Sequence, residues 1–294
     1  MNVWEKYDIL EENIHVTLIA DSIHHSNGKR ATTALIRLPR FLLPQMNTYR
    51  VMSRNVASSR AKRFSVTANE VLNNPYKPYV WQANHSGMQT ETRLPRWKEW
   101  IANKLWIGSS LTQLGWASSL NLLGVSKQYT NRLIEPYMYV DYLVTSTEWD
   151  NFFYQRDDYH AQLEIQIVAR RLRMMLQNTT PTVLQVGEWH LPFDAGEKFD
   201  IWDRIKISVA RCARTSYINP IGYTPDKDLT LFTKLIGSPP HLSPFEHQLV
   251  ARGTNGGNIK GFTQFRKIIE SRLLLDKEFI EESVKHDTLG YWIL

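Results

Sequence analysis

A single cysteine, Cys212, stands in a chain of 294 residues. One thiol excludes an intrachain disulfide and a zinc site built from cysteines, and it points to a reducing compartment. No apolar run approaches the roughly 20 residues needed to cross a bilayer. The opening Met1-Asn2-Val3-Trp4-Glu5-Lys6-Tyr7-Asp8 lacks the form of a signal peptide. The expectation is a soluble, cytoplasmic protein with no membrane partner. The phosphate-binding fingerprints G-x-G-x-x-G and G-x-x-x-x-G-K-[ST] are missing, as are the G-x-S-x-G elbow and H-E-x-x-H. Long blocks of like charge are missing too. The densest basic groups, Arg60-Ala61-Lys62-Arg63 and Arg170-Arg171-Leu172-Arg173, lack the interleaved aromatics of a single-strand platform. Nucleic acid is therefore not a favoured partner. There is no internal repeat and no low-complexity segment.

What the chain does have is an ordinary globular composition, 43% apolar and 22% charged, with ten Trp and thirteen Tyr. These aromatics suit buried packing or stacking on flat ligands, and composition does not choose between them. The formal charge of +6 favours anionic partners, among them nucleotides, a flavin dinucleotide or a carboxylated pterin. The length accommodates one large domain or two small ones.

Two strands are expected, His15 to Ser22 and Thr32 to Pro39, from their β-formers. Residues 66 to 92 carry Asn, Pro and Gly signals and read as loops. Apolar residues near the helical period predict a helix from about Pro95 to Leu123, divided by Gly108 and Gly115, and another from Ser126 to Ile134. The strongest helical stripe is Ala161, Ile165, Val168, Leu172 and Met175, within a helix expected from Glu148 to Leu176. Residues 182 to 200 read as a connector. Further helices are expected at Ile201 to Ala213, Asp226 to Ile236 and Phe262 to about Lys285, with a Gly-rich turn at Arg252 to Asn258.

The densest chemistry lies in Thr48-Tyr49-Arg50-Val51-Met52-Ser53-Arg54-Asn55-Val56-Ala57-Ser58-Ser59-Arg60. Guanidinium forks and hydroxyls at such close range suit a phosphate, so a nucleotide phosphate is the first ligand to consider. The alternative is a solvated Ser-rich loop. On the expected long helix, Arg156, His160 and Glu164 recur every four residues and would share one face, as a functional row or as a surface ladder of charges. Ser208 to Tyr217 reads as the basic end of a helix. His241-Leu242-Ser243-Pro244-Phe245-Glu246-His247 reads as a turn with a Ser-Pro helix start, or as a source of two metal-binding histidines. Arg211 and Arg214 beside Cys212 could lower its pKa; a small buried thiol is the favoured reading.

Taken together these clusters resemble the flavin-dependent thymidylate synthases. The signature R-H-R-x-x-S-x-N-E-x-S-x-R is similar to Thr48 through Arg60, with Gln45 at a glutamine shortly upstream. The N-F-x-x-x-R-x-x-x-x-A-Q-x-E-I helix is similar to Asn151 through Ile165. A-R-x-S-Y/F is matched by Ala213-Arg214-Thr215-Ser216-Tyr217, H-x-S/T-P-F-E-H by His241 through His247, and R-x-x-L-P by Arg132-Leu133-Ile134-Glu135-Pro136. The matches span residues 31 to 247. Their order differs from the usual one, because A-R-x-S-Y and S-P-F-E-H follow the Arg-rich signature here. The chain thus resembles a circularly permuted member of a kind associated with bacteriophages, working in the host cytoplasm. A pocket survives permutation because geometry and not chain order defines it.

The resemblance implies an α+β fold, with a central antiparallel or mixed sheet packed by long helices and a permuted segment order. It implies one domain over residues 1–294, with the signature loop and long helix in 1–180 and the usually N-terminal segment in 200–294. It implies a homotetramer with shared active sites, bound FAD, and reductive methylation of dUMP to dTMP with methylenetetrahydrofolate and NADPH as co-substrates. Carried over by position, Gln45, Ser58, Ser59, Arg60, Arg132 and Arg156 would contact dUMP, with Arg60 and Arg132 at its phosphate. Arg156 would sit at the pyrimidine carbonyls and His160 would flank it; these two are the expected catalytic residues. Arg50, Asn55, Asn151, Ser216 and His247 would line the flavin, and Ser53 would have a structural or binding role beside it. No metal is implied. The family's catalysis uses no enzyme nucleophile, which agrees with the setting of Cys212. Thr48, Tyr49 and Val56 depart from the signature's Arg, His and Glu, and Thr145 and Thr147 stand where the family has the Asn and Arg of N-A-R. These departures keep open another outcome on a pyrimidine nucleotide, such as hydroxymethylation, or a nucleotide- or nucleic-acid-binding protein without flavin.

Overall fold

The computed structural model describes residues 13–86, 92–215, 224–237, 239–253, 257–275 and 277–293. Along the chain run β1 (His15–His24), β2 (Arg30–Pro39), α1 (Leu43–Asn47), β3 (Ser53–Val56), α2 (Phe64–Asn73), α3 (Arg96–Leu122), α4 (Lys127–Thr130) and β4 (Tyr139–Ser146). There follow α5 (Asp150–Arg156), α6 (Leu163–Asn178), β5 (Thr182–Leu184), β6 (Trp189–His190), α7 (Ile201–Arg214) and α8 (Pro225–Ile236). The last elements are β7 (Leu249–Val250), β8 (Thr263–Gln264), α9 (Phe265–Leu275), α10 (Lys277–Lys285) and α11 (Gly290–Ile293). The architecture is α+β. A five-stranded sheet has the order β3-β4-β2-β1-β5, mixed because β5 joins β1 in parallel while the other pairs are antiparallel. A small antiparallel sheet has the order β6-β7-β8.

Strand alternation assigns the two faces of the large sheet different tasks. Ala34, Ile36 and Leu38 of β2, with Val140, Tyr142 and Val144 of β4, pack with the buried Ile165, Val168 and Leu172 of α6. Each Ile, Leu or Val among them contributes about 1.5–3 kcal/mol on full burial. The opposite face, with Thr33, Leu35, Leu143 and Thr145, meets the C-terminal half: Leu143 packs with Phe193 and Cys212. That half has its own core, built from Trp202, Ile205, Val209, Phe232, Phe245 and Phe265. The seam between the halves is where the polar residues of several sequence motifs meet.

The helix expected from Glu148 to Leu176 is broken. α5 ends at Arg156 and α6 starts at Leu163. In the break, Asp158 Oδ1 accepts from the backbone N–H of His160 at 2.9 Å and pairs with its Nδ1 at 2.7 Å. Such an aspartate loop competes with helical hydrogen bonding. Asp157 is held by Arg170 and Arg173 of α6 at 2.8 and 3.1 Å, which fixes the angle of the break. Arg156, His160 and Glu164 therefore do not share one helical face, and the expectation that they do is corrected. Of the expected apolar stripe, Ile165, Val168 and Leu172 stand on α6 at 0% exposure and Met175 is half-buried, while Ala161 falls in the break.

Four smaller corrections follow from packing. Part of the loop expected at 66 to 92 is α2, because Phe64, Thr67 and Val71 lie at helical spacing and are buried. Gly108 and Gly115 do not divide α3; each costs only about 1 kcal/mol inside a helix of 27 residues. The helix expected from Ser126 to Ile134 is one α-helical turn, α4, followed by a 3-10 segment at Asn131–Tyr137 that contains Pro136. The expected connector 182–200 contributes the short strands β5 and β6.

Candidate functional site

The signature segment is folded around β3, and its polar side chains reach elements distant in sequence. Ser53 is fully buried, and its Oγ accepts from Asn258 Nδ2 at 2.8 Å and Gln264 Nε2 at 2.7 Å. Asn55 donates to the carbonyl of Cys212 at 2.8 Å, at the end of α7. In the same register Ser53 faces Thr145 of β4, and Thr145 faces Thr33 of β2. Thr145 Oγ1 lies 2.8 Å from Nδ1 of His247, the last residue of the S-P-F-E-H element. Strand β3, strand β4, the end of α7 and the turn at His247 thus meet at one seam. His247 is fully buried, and its Nε2 has no hydrogen-bond partner among the described residues. Arg50 is exposed and makes no ion pair or side-chain hydrogen bond among the described residues. Asn151 is exposed on the first turn of α5. Ser216 and Tyr217 lie outside the described residues.

A second group surrounds Arg156. Its Nε–H donates to the Tyr49 hydroxyl at 2.7 Å, and that hydroxyl donates to Gln155 Oε1 at 2.9 Å. Tyr49 is buried edge-on against Phe152, with ring centroids 5.1 Å apart. Gln45 donates to Gln162 Oε1 at 2.8 Å, which joins the residue upstream of the signature to the start of α6. Glu164, also buried, accepts from the Tyr76 hydroxyl at 2.6 Å; burial first, and that carboxylate second, push the Tyr76 pKa up. His160 is exposed in the break between the helices, its ring against Tyr159.

A third group holds the end of the signature. Asn131 donates from its amide to the carbonyls of Ser59 at 2.6 Å and Lys62 at 3.2 Å. This ties the Ser58–Lys62 turn to the segment that carries Arg132. Arg60 and Arg132 are both exposed, and neither has an ion-pair or hydrogen-bond partner for its guanidinium among the described residues. Ser58 and Ser59 line a cavity of about 250 Å3 together with Arg37, Arg40 and Lys62. The cations of that cavity already have partners: Arg40 with Glu135 at 3.1 Å, Lys62 with Glu70 at 2.8 Å and Arg37 with Asp141 at 3.4 Å. No hydrogen bond or ion pair joins this group to the Arg156 group among the described residues.

Cys212 is no nucleophile in this setting. Its thiol is fully buried, and burial pushes its pKa up. Arg211 and Arg214, its basic neighbours in sequence, both reach the buried carboxylate of Asp228 instead, at 3.2 and 2.9 Å. Among the described residues no group of three or more His, Cys, Asp or Glu is placed to hold a metal ion, and His241 is exposed. No helix of the described residues is long and apolar enough to cross a membrane.

Sequence reasoning missed Tyr49 as the partner of Arg156, Asn131 as the tether of the signature turn, and, at the seam, Thr33, Thr145 and His190, whose Nε2 lies 2.8 Å from Thr33 Oγ1. Thr32-Thr33, set among the apolar Ala31, Ala34, Leu35 and Ile36, was the available signal for the last group.

No protein-family model matches the chain, and no curated protein matches it. Among solved structures it is similar to the crystal structure of a UMP/dUMP methylase, PolB, from Streptomyces cacaoi bound with 5-Br UMP, with a TM-score of 0.44 and 13% sequence identity. The match covers 56% of this chain and 89% of that one. It is too loose to carry a conclusion about chemistry.

Proposed function

We propose that the chain is a flavin-dependent thymidylate synthase-like enzyme that methylates dUMP reductively to dTMP, using FAD, methylenetetrahydrofolate and NADPH. The observation that carries this reading is the convergence of separate motifs: Asn55 of the signature on Cys212 beside the A-R-x-S-Y element, and Thr145 of β4, which is paired with that signature strand, on His247 of the S-P-F-E-H element. These contacts form although the two downstream elements follow the signature in the chain.

The seam fits a flavin. Among the described residues, His247 has a buried ring nitrogen without a partner, Asn55 keeps its amide oxygen uncommitted, and Arg50 has an unpaired guanidinium suited to phosphate. Arg50, Asn55, Asn151, Ser216 and His247 would hold it, with Ser53 fixing Asn258 and Gln264 beside them. Flavin would supply the hydride, and the folate the one-carbon unit. The chain's own part is position and charge. Arg60 and Arg132, with Ser58 and Ser59, would bind the phosphate of dUMP. Arg156 has terminal nitrogens without partners among the described residues, while Tyr49 fixes its Nε. They would face the pyrimidine carbonyls, where positive charge stabilises electron density developing on the ring. Gln45 would complete the base contacts, and His160 would flank Arg156 from the turn between the helices.

Among the described residues of one protomer no bond joins the phosphate-binding group to the Arg156 group, so we assign them to one site completed by a neighbouring subunit of a homotetramer. The exposed face of α3 supports self-association: Trp97, Trp100, Leu105 and Trp116 are each more than 60% exposed there. The reading is tested by the absorbance of the purified protein. A flavin band, and a nucleotide that gains the mass of one CH2 unit over dUMP when the co-substrates are supplied, are expected. A gain of CH2O instead would assign hydroxymethylation, and a colourless, inert protein would leave a binding protein.

A further inference from the structure

Five side chains form an unbroken chain of hydrogen bonds through the seam. Ser22 Oγ lies 2.9 Å from His190 Nδ1, and His190 Nε2 lies 2.8 Å from Thr33 Oγ1. Thr33 Oγ1 lies 2.6 Å from Thr145 Oγ1, and Thr145 Oγ1 lies 2.8 Å from His247 Nδ1. Thr33, Thr145, His190 and His247 are at 0% exposure and Ser22 at 6%. Four of the five residues come from β1, β2, β4 and β6, and the fifth lies just before β7. Water does not reach the middle of this chain, so each proton must be placed by its neighbours.

Donor arithmetic leaves two low-energy arrangements. A threonine hydroxyl has one proton and so donates one bond at a time. If the bond between the threonines runs from Thr33 to Thr145, Thr33 accepts from His190 Nε2–H, and Thr145 donates its own proton to His247 Nδ1. Both histidines then carry their proton on Nε2. If it runs from Thr145 to Thr33, Thr145 accepts from His247 Nδ1–H and Thr33 donates to His190 Nε2. Both histidines then carry their proton on Nδ1, and His190 donates to Ser22. A mixed pair breaks one bond or leaves a hydroxyl proton buried without a partner, which is the costlier state in a dry interior. Burial also holds both rings neutral: the His190 pKa is lowered to about 4 and that of His247 to about 3.

We propose that this chain is a single directional wire in which His190, Thr33 and Thr145 are positioning residues that set the tautomer of His247, and so decide whether its unpartnered Nε2 offers a proton or a lone pair. The proposal of what Nε2 meets rests on the reading of His247 as lining the flavin site; the coupling of the tautomers does not. A ligand edge that accepts a hydrogen bond selects the Nε2–H direction of the whole wire, and one that donates selects the other. Ser22 at the far end is thereby coupled to the ligand without touching it.

The test is solid-state nitrogen NMR of the full-length protein labelled with nitrogen-15 histidine. Trp-His and Glu-His each occur once in the sequence, at Trp189-His190 and Glu246-His247, so carbonyl labelling of Trp or Glu assigns the two rings without substitution. The expected result is two neutral rings protonated on the same nitrogen. One ring protonated on Nδ1 and the other on Nε2 overturns the proposal, and this outcome needs no variant to fold. Thr145→Val keeps the shape and removes the hydroxyl; it should uncouple the two rings, while Thr145→Ser should preserve their agreement. Coupling that survives Thr145→Val equally overturns the wire. Flavin affinity should fall in Thr145→Val by about tenfold, the equivalent of one lost hydrogen bond, and recover in Thr145→Ser. Absence of flavin binding in the unaltered protein would remove the functional reading and leave the tautomer result standing.

Discussion

Tyr49 and Arg156 are joined by a 2.7 Å hydrogen bond in which the guanidinium Nε–H donates to the phenol oxygen. Tyr49 comes from the signature and Arg156 from the end of α5, 107 positions apart. The tyrosine stands where the signature this segment resembles has histidine. The bond supplies a physical reason for it: a buried ring that reaches far enough to orient the arginine while its own hydroxyl donates to Gln155 Oε1. Arg156→Ala should reduce turnover of dUMP by roughly 100- to 1,000-fold, the scale of losing one preorganised charge at a reacting ring. Tyr49→Phe should lower kcat by about tenfold with little change in KM, because it frees the arginine without removing it. Steady-state kinetics of the two variants check both. His160→Ala, in an exposed turn, should cost less than Arg156→Ala; an equal loss would assign His160 a larger part than its position implies.

Arg60 and Arg132 lie beside the signature turn, and neither guanidinium has a partner among the described residues. Arg60→Ala or Arg132→Ala should raise KM for dUMP by roughly 10- to 100-fold and change kcat less, because a phosphate contact is equal in ground and transition states. Deoxyuridine, which lacks the phosphate, should not distinguish the variants from the unaltered enzyme.

The buried histidines give the fold a pH dependence of definite sign. Their folded pKa values, about 4 for His190 and about 3 for His247, lie below the ordinary 6.5, because burial disfavours the charged ring. Unfolded histidines therefore take up protons that the folded protein refuses as pH falls below 6.5. The stability they contribute is whole above that pH and is lost on the way down to about 4 and about 3. At about pH 5 the loss is roughly 2 kcal/mol for each ring. Denaturant titrations at about pH 7 and about pH 5 should show it. His247→Gln should remove about half of the difference.

Cys212 is buried, its thiol pKa raised by that burial. Cys212→Ala should keep turnover while losing about 1–2 kcal/mol of stability through the small cavity it leaves. Thiol reagents should not inactivate the native enzyme. Loss of turnover in a folded Cys212→Ala protein would restore the thiol to the chemistry.

Much of the fold was legible where periodicity and burial agree. The β1 and β2 strands, α7, α8 and the apolar stripe of α6 follow from alternation and helical spacing alone. The break after Arg156 was not legible, because Asp157 and Asp158 are tolerated in a helix pattern and act here through side-chain bonds to Arg170, Arg173 and His160. The motifs named the residues of the candidate site, yet not their partners. Tyr49 reads in sequence as a departure from a signature, and Thr145 as a missing asparagine; only the register of β2, β3 and β4 shows that Thr145 lies between Thr33 and Ser53 and reaches His247. Long-range register is set by tertiary packing, which a local pattern does not encode.

The most direct measurement is the mass of the nucleotide recovered after the purified protein is incubated with dUMP, methylenetetrahydrofolate, NADPH and FAD. A product heavier than dUMP by one CH2 unit, absent when NADPH is omitted and absent with Arg156→Ala, is the expected result. Recovery of unaltered dUMP from folded, flavin-loaded protein would contradict the proposed chemistry.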